Sequence, residues 1–258
     1  MSALPHADYP WRLRLEHEGH ASIRVERRGR WFRFDPHSPP DPDDVSVVTW
    51  VELERARGVA AAIREGKRPT VVATPDVRAW LHGKGEVDDH TPGGKHDGVL
   101  VEAIEYTPIP YATPPEAARK VRAALRHPAM AANRIAKRLQ LPRTKPIVAQ
   151  LTFPDGGRLL HLNCSLHLDT DIEWLRRAQD RFRGADWMIV GADYEHEAAL
   201  LEKVPGFEAG VVLVADLVNE TRRQIGMPVN ILTPTVDALV AMGIEAHPFV
   251  REAGFRFE

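Results

Sequence analysis

The densest group of chemically capable side chains is the string Trp50-Val51-Glu52-Leu53-Glu54-Arg55. Glu52 or Glu54 can serve as a general acid or base. Arg55 carries a permanent charge on a planar fork that suits a carboxylate or phosphate, and a carboxylate beside it stays ionised. Trp50 is a binding candidate at the head of the same string. The string also reads as an ordinary helix start, with the glutamates favouring the positive helix end and Arg55 solvated or salt-bridged. Cys164 is a second candidate, with His161 and His167 close in sequence. As a nucleophile it needs an electropositive, partly open setting; otherwise it is a small buried hydrophobe.

Other ligand-type residues fall in loops. His161, His167, Asp169 and Asp171 form one group, and His90 and His96 another. Neither has the His-x-His or His-x₃-His spacing that places two imidazoles on one ion. Asp193 to Glu197 follows a short apolar run, on the side where a pocket would open. There is no glycine-rich phosphate loop between a strand and a helix, and no Gly-x-Ser-x-Gly elbow. From Ala117 to Pro146 the chain carries Arg119, Lys120, Arg122, Arg126, Arg134, Lys137, Arg138, Arg143 and Lys145 and no acidic residue. Such a segment suits an anionic partner, with Arg134, Lys137 and Arg138 as binding candidates. It also reads as a solvated helical face. It lacks the interleaved aromatics of a single-strand stacking platform.

The elements that must position these residues are short. Leu13–Glu16, Ser22–Val25 and Trp31–Asp35 read as an antiparallel meander. Strand, helix, strand and helix follow over 45–50, 53–65, 69–74 and 76–82, with Pro75-Asp76 opening the last. Gly98–Tyr106 alternates as a strand. Residues 116–141 read as one or two helices broken at His127-Pro128. Asp155-Gly156-Gly157 between two apolar runs, 147–153 and 158–162, is a hairpin signal. Helices are expected over 171–182 (Ile172, Leu175 and Phe182 on one side), 216–225 and 236–242. Strands are expected over 187–190, 229–232, 243–247 and 254–257. The pattern is two similar halves, each a sheet with helices outside.

The chain has 258 residues with 43% hydrophobic and 27% charged, an ordinary soluble composition. Its net charge of −2 gives no global attraction to nucleic acid or membrane. One cysteine excludes an intrachain disulfide. No apolar run is long enough to span a bilayer and the first residues are polar, so the expected compartment is cytoplasmic.

Taken in order, several strings resemble the metallo-β-lactamase superfamily, in its lactonase-like branch related to ascorbate-6-phosphate lactonase. They are Glu18-Gly19-His20-Ala21-Ser22, Phe34-Asp35-Pro36, Val47-Val48-Thr49, Leu160-His161-Leu162-Asn163, and Gly243-Ile244-Glu245 through Phe255-Arg256-Phe257-Glu258. The resemblance implies an α/β fold, a four-layer αβ/βα sandwich spanning 1–258 as one domain. Residues 112–146, which it does not cover, would be a basic helical insertion. It implies mainly structural, buried roles for His20 and Asp35.

The resemblance also implies where metal ligands would stand, and other residues stand there. After Thr49 the family has His-x-His-x-Asp-His, whose side chains hold two zinc ions and activate a bridging water. The matching positions are Trp50, Glu52, Glu54 and Arg55. No histidine falls at 105–108, the bridging aspartate would fall at about Cys164, and the last histidine near Thr233-Pro234. The expectation is a degenerate member without the dinuclear site, needing no cofactor and acting by binding or assembly. The alternative is a hydrolase or lactonase-like enzyme with a rebuilt, metal-independent or mononuclear pocket for a small anionic substrate. There Glu52, Glu54 and Arg55 would face Cys164. The sequence leaves an acidic protein, an anionic small molecule, a second copy of the chain and nucleic acid open as partners.

Overall fold

The computed structural model describes residues 2–4, 13–19, 21–27, 29–51, 55–107, 118, 121–122, 124–129, 131–132, 136, 141, 144–166, 170–192, 196–217, 219–224, 229–251 and 254–257. Two sheets form the centre. The first runs β1 (Ser2–Leu4), β15 (Gly254–Phe257), β2 (Leu13–Gly19), β3 (Ser22–Arg27), β4 (Arg30–Phe34), β5 (Val45–Val47), β6 (Thr70–Val72) and β7 (Asp88–His90), in that spatial order. The second runs β14 (Ala246–Phe249), β13 (Val211–Ala215), β12 (Trp187–Gly191), β11 (Arg158–Asn163), β10 (Ile147–Thr152), β9 (Val99–Glu105) and β8 (Lys95–His96). Pairing is antiparallel through the meander β2–β4 and through β8–β11. It turns parallel from β4 to β7 and from β11 to β14, with helices in every connection except the loop 35–44 between β4 and β5.

Period-two alternation sorts the side chains into layers. Leu13, Leu15, Ile23, Val25, Phe32 and Phe34 meet Val101, Ala149, Leu151, Leu159, Trp187 and Ile189 between the sheets. The other face of the second sheet, with Leu160, Leu162, Met188 and Val212, packs on Trp174, Leu175, Phe182, Leu200 and Leu239. Those residues belong to α3 (Ile172–Phe182), α4 (Glu197–Lys203) and α6 (Thr233–Ala241). A smaller cluster joins Val48, Val71 and Ala73 to Val59, Ile63, Val77 and Leu81 on α1 (Arg57–Arg64) and α2 (Pro75–His82). Helix, sheet, sheet, helix is the expected four-layer sandwich. The solvent face of the meander carries a ladder instead of a helix: Arg14 pairs with Glu16, and the Arg24 guanidinium lies 3.9 Å over the Trp31 ring.

Several elements differ from expectation for local reasons. The strand at 45–50 stops at Val47, because Thr49 turns to bond Asp35. The first helix starts at Arg57 instead of 53. Residues 229–232 form no strand. The Asn219 side chain, on α5 (Asn219–Gln224), bonds both the carbonyl (2.9 Å) and the N–H (2.6 Å) of Asn230 and so replaces a ladder. Val211–Ala215, five buried apolar residues, is a strand that the reading missed. Ile172 is 61% exposed, since the Asp171 cap rotates Trp174, Leu175, Ala178 and Phe182 inward instead. The described residues between Ala118 and Ala136 are helical apart from a bend at His127, and Val121 and Leu125 among them are exposed. Among the described residues no helix is long and apolar enough to cross a membrane.

One close approach fixes the start of α1. The Gly58 N–H donates to the Pro36 carbonyl at 2.8 Å, and a Cβ on Gly58 would stand 2.1 Å from the Ser38 carbonyl oxygen. Backbone cannot yield there as a side chain would. Gly58→Ala should therefore destabilise the protein by about 2–3 kcal/mol in urea unfolding; an unchanged midpoint would contradict this contact.

Candidate functional site

β4 and β11 end side by side in the two sheets, each on a polar residue in the left-handed region: Asp35 (φ 47°) and Asn163 (φ 59°). Asp and Asn tolerate this conformation better than other side chains with a Cβ. The turn points both side chains into the junction between the sheets, where both are buried. Thr49, just past β5, lies between them. Its N–H donates to Asp35 Oδ1 (2.7 Å) and its hydroxyl to Asp35 Oδ2 (2.5 Å), while the hydroxyl accepts from Asn163 Nδ2 (2.9 Å).

Arg55 closes the group. Its side chain is buried, and one terminal nitrogen donates to Asp35 Oδ2 at 3.0 Å and to Asn163 Oδ1. Asp35, Thr49 and Arg55 come from the first half of the chain and Asn163 from the second, so this contact ties the halves together. Two further bonds cross at the same end: Ile147 N–H to the Thr49 carbonyl (2.9 Å), and Trp50 Nε1–H to the Thr144 carbonyl (3.1 Å). Burial works against the Arg55 charge, but Asp35, Cys164 and Tyr106 outweigh it and hold the guanidinium above its ordinary pKa. Burial raises the Asp35 carboxyl, while Arg55 and the Thr49 donors pull it down.

His161 lies on the inner face of β11, fully buried and stacked on Phe34 at 4.6 Å. Burial first, then Arg55 and His17, lower its pKa to about 3, so the imidazole is neutral. Neither ring nitrogen has a hydrogen-bond partner among the described residues. His17 is buried too. Its Nδ1 accepts from Gly19 N–H (3.1 Å), and its Nε2 lies 3.1 Å from Asp216 Oδ1. Cys164 is partly buried, with its sulfur against Gly191. Glu52, Glu54, Arg134, Lys137, Arg138, His167, Asp169 and Asp193 to Glu195 lie outside the described residues.

Of the predicted site residues, Arg55 interacts electrostatically with Cys164 and His161, while Trp50 is bonded to the Thr144 carbonyl. The His90 and His96 rings meet at 4.4 Å, but among the described residues no third ligand-type residue completes the pair. The reading passed over Thr49 and Asn163 as site residues. The signal for Asn163 was its place at the end of the strand string Leu160-His161-Leu162-Asn163.

The fold has solved counterparts. The chain is similar to a metallo hydrolase from the hyperthermophilic archaeon Ignicoccus hospitalis, with TM-score 0.62 and 14% identity over 96% of this chain and 99% of that one. It is similar to an isothiocyanate hydrolase from Delia radicum gut bacteria, with TM-score 0.57 and 10% identity over 95% and 99%. A third counterpart, with TM-score 0.56 and 13% identity, is a diiron β-hydroxylase from Streptomyces venezuelae, of which the match covers 55% against 96% of this chain. This is the metallo-β-lactamase-like fold. No protein-family model and no curated protein matches the sequence.

A hydrolase and a hydroxylase on one framework mean that the metallo-β-lactamase-like fold does not fix a reaction; the site has to. The described residues do not fit a metal pair. No three His, Cys, Asp or Glu side chains converge on one point among them, and a guanidinium, which cannot ligate, fills the space between Asp35 and Asn163.

The His161 shift has a measurable sign. A base whose folded pKa lies below its unfolded value of about 6.5 binds a proton only on unfolding between pH 6.5 and 3. Stability should therefore fall as pH falls through that window, by up to about 1.4 kcal/mol per pH unit from this group. His161→Phe should flatten the stability profile between pH 6 and 4 by close to one proton; parallel profiles would show that the imidazole is not buried neutral.

Proposed function

We propose that this protein is a metal-independent member of a hydrolase fold and acts by binding, without hydrolysis. The observation that carries this reading is the buried Arg55 guanidinium held between Asp35 and Asn163. It is a fixed cation at the junction of the two sheets, where the family resemblance locates the metal motif. A metal there would supply both the nucleophilic water and the charge that stabilises the transition state. Arg55 supplies charge only, and spends it on Asp35. It activates no water, and its bonded nitrogen faces protein, not a substrate. Residues 1–258 read as one unit on this account, and the basic stretch 112–146 as an insertion outside the sandwich, in keeping with exposed Val121 and Leu125.

A second reading rests on Cys164. Its thiol lies within electrostatic reach of Arg55 and is partly exposed, a setting in which a nucleophile can act without metal.

One experiment separates the two. Untagged protein is incubated with zinc, manganese or iron and desalted. Metal per chain is then measured alongside turnover of carboxylic esters, lactones and phosphate esters. The binding reading predicts metal well below one ion per chain and no turnover above buffer. Tightly held stoichiometric metal overturns it. Metal-free turnover that disappears in Cys164→Ser transfers the function to the thiol.

A further inference from the structure

The basic residues of the chain are unevenly spread. Residues 117–146 hold nine of its 34 lysines and arginines and none of its 36 acids. The helical residues there sort this charge from an apolar strip. Val121 (58% exposed) and Leu125 (76% exposed) stand four residues apart, on one side of a helix, and neither joins any of the three apolar clusters of the core. Ala118 and Ala124, at helical spacing from them, are exposed as well and widen this face. Arg122 and Arg126 form a second row, about 100° round the helix. Both are exposed, and neither has an ion pair among the described residues.

The pattern recurs past the bend at His127. Ala132 and Ala136 are exposed. In the sequence, Ile135 and Leu139 fall at helical spacing from them, out of phase with Arg134, Lys137 and Arg138.

An apolar strip beside a basic one narrows the partner. Phosphate contacts to nucleic acid reward the arginines but not Val121 and Leu125, and 117–146 has no Phe, Tyr or Trp to stack on a base. A groove on an acidic protein is anchored by large side chains, whereas this face is mostly alanine, with Val121 and Leu125 its exposed bulky residues. An anionic lipid surface uses both strips and requires no matching shape. Aliphatic side chains enter the acyl boundary while arginines stay with the headgroups.

We infer that the helical residues within 117–146 lay this face on an anionic lipid membrane, as a peripheral contact. The inference goes beyond the metal-independent reading and does not depend on it.

The test is co-sedimentation of the full chain with vesicles of phosphatidylcholine, alone or mixed with phosphatidylserine. Val121→Gln with Leu125→Gln removes the apolar strip at constant charge, and Arg122→Gln with Arg126→Gln removes two charges. All four residues are exposed, and circular dichroism checks that both variants fold. Binding is expected only with phosphatidylserine present and should weaken with added salt. It should fall about tenfold or more in each double variant. No binding to the mixed vesicles overturns the inference, as does binding that the apolar variant leaves unchanged. Duplex DNA and polyglutamate are the rival probes. If either binds at least as tightly as the mixed vesicles, with no loss in the apolar variant, a polyanion suffices and the inference fails. Self-association without vesicle binding, lost in the apolar variant, assigns the face to a second copy of the chain and overturns it too.

Discussion

A guanidinium and a carboxylate, both withdrawn from water, must be matched at the junction of two sheets. Each alone would be costly to bury, and their attraction offsets that cost only with good geometry and additional hydrogen bonds. The structure supplies such bonds to the carboxylate and to one terminal nitrogen of the guanidinium, while the buried Arg55 Nε has no partner among the described residues. Thr49 gives Asp35 two donors, and Asn163 gives Arg55 a second acceptor. Much of the surrounding backbone follows from this requirement. β4 and β11 end in left-handed turns so that Asp35 and Asn163 point inward, and β5 stops two residues before Thr49. The first helix is delayed to Arg57, leaving Arg55 in a turn from which its side chain reaches the junction. The Gly58 contact with Pro36 then holds that turn against the loop that follows Asp35.

The same charge shapes its neighbourhood. His161, one turn of the pleat from Asn163, cannot become a second cation beside Arg55 and is kept neutral between Phe34 and the core. Cys164 and Tyr106 favour the charged state of the guanidinium. The solved counterparts and this chain share a framework.

Much of the fold was legible because it rests on periodicity. Leu13 to His17 alternates, Asp155-Gly156-Gly157 marks its hairpin, and Pro75-Asp76 opens its helix, each a local signal with a local cause. What escaped depends on distant partners. Residues 229–232 look like a strand until Asn219 takes the backbone groups of Asn230. Ile172 looks buried until Asp171 sets the phase of α3. At the candidate site, Arg55 could be flagged by type, but its partners could not, since Asn163 lies 108 residues away and Asp35 lies 20. No spacing rule predicts that a strand-end asparagine will accept from it.

The central claim is that Arg55 and Asp35 act as one unit in holding the two halves together, and a double-mutant cycle measures that most directly. Arg55→Met, Asp35→Asn and the double variant would be compared by urea unfolding, Asn being chosen because it tolerates the left-handed turn. Each single change leaves a buried charge unmatched and should cost roughly 3–5 kcal/mol. The double variant should cost at least about 2 kcal/mol less than the two single costs together. Strictly additive costs would contradict the account, because two residues that act independently cannot be the interaction on which the junction depends.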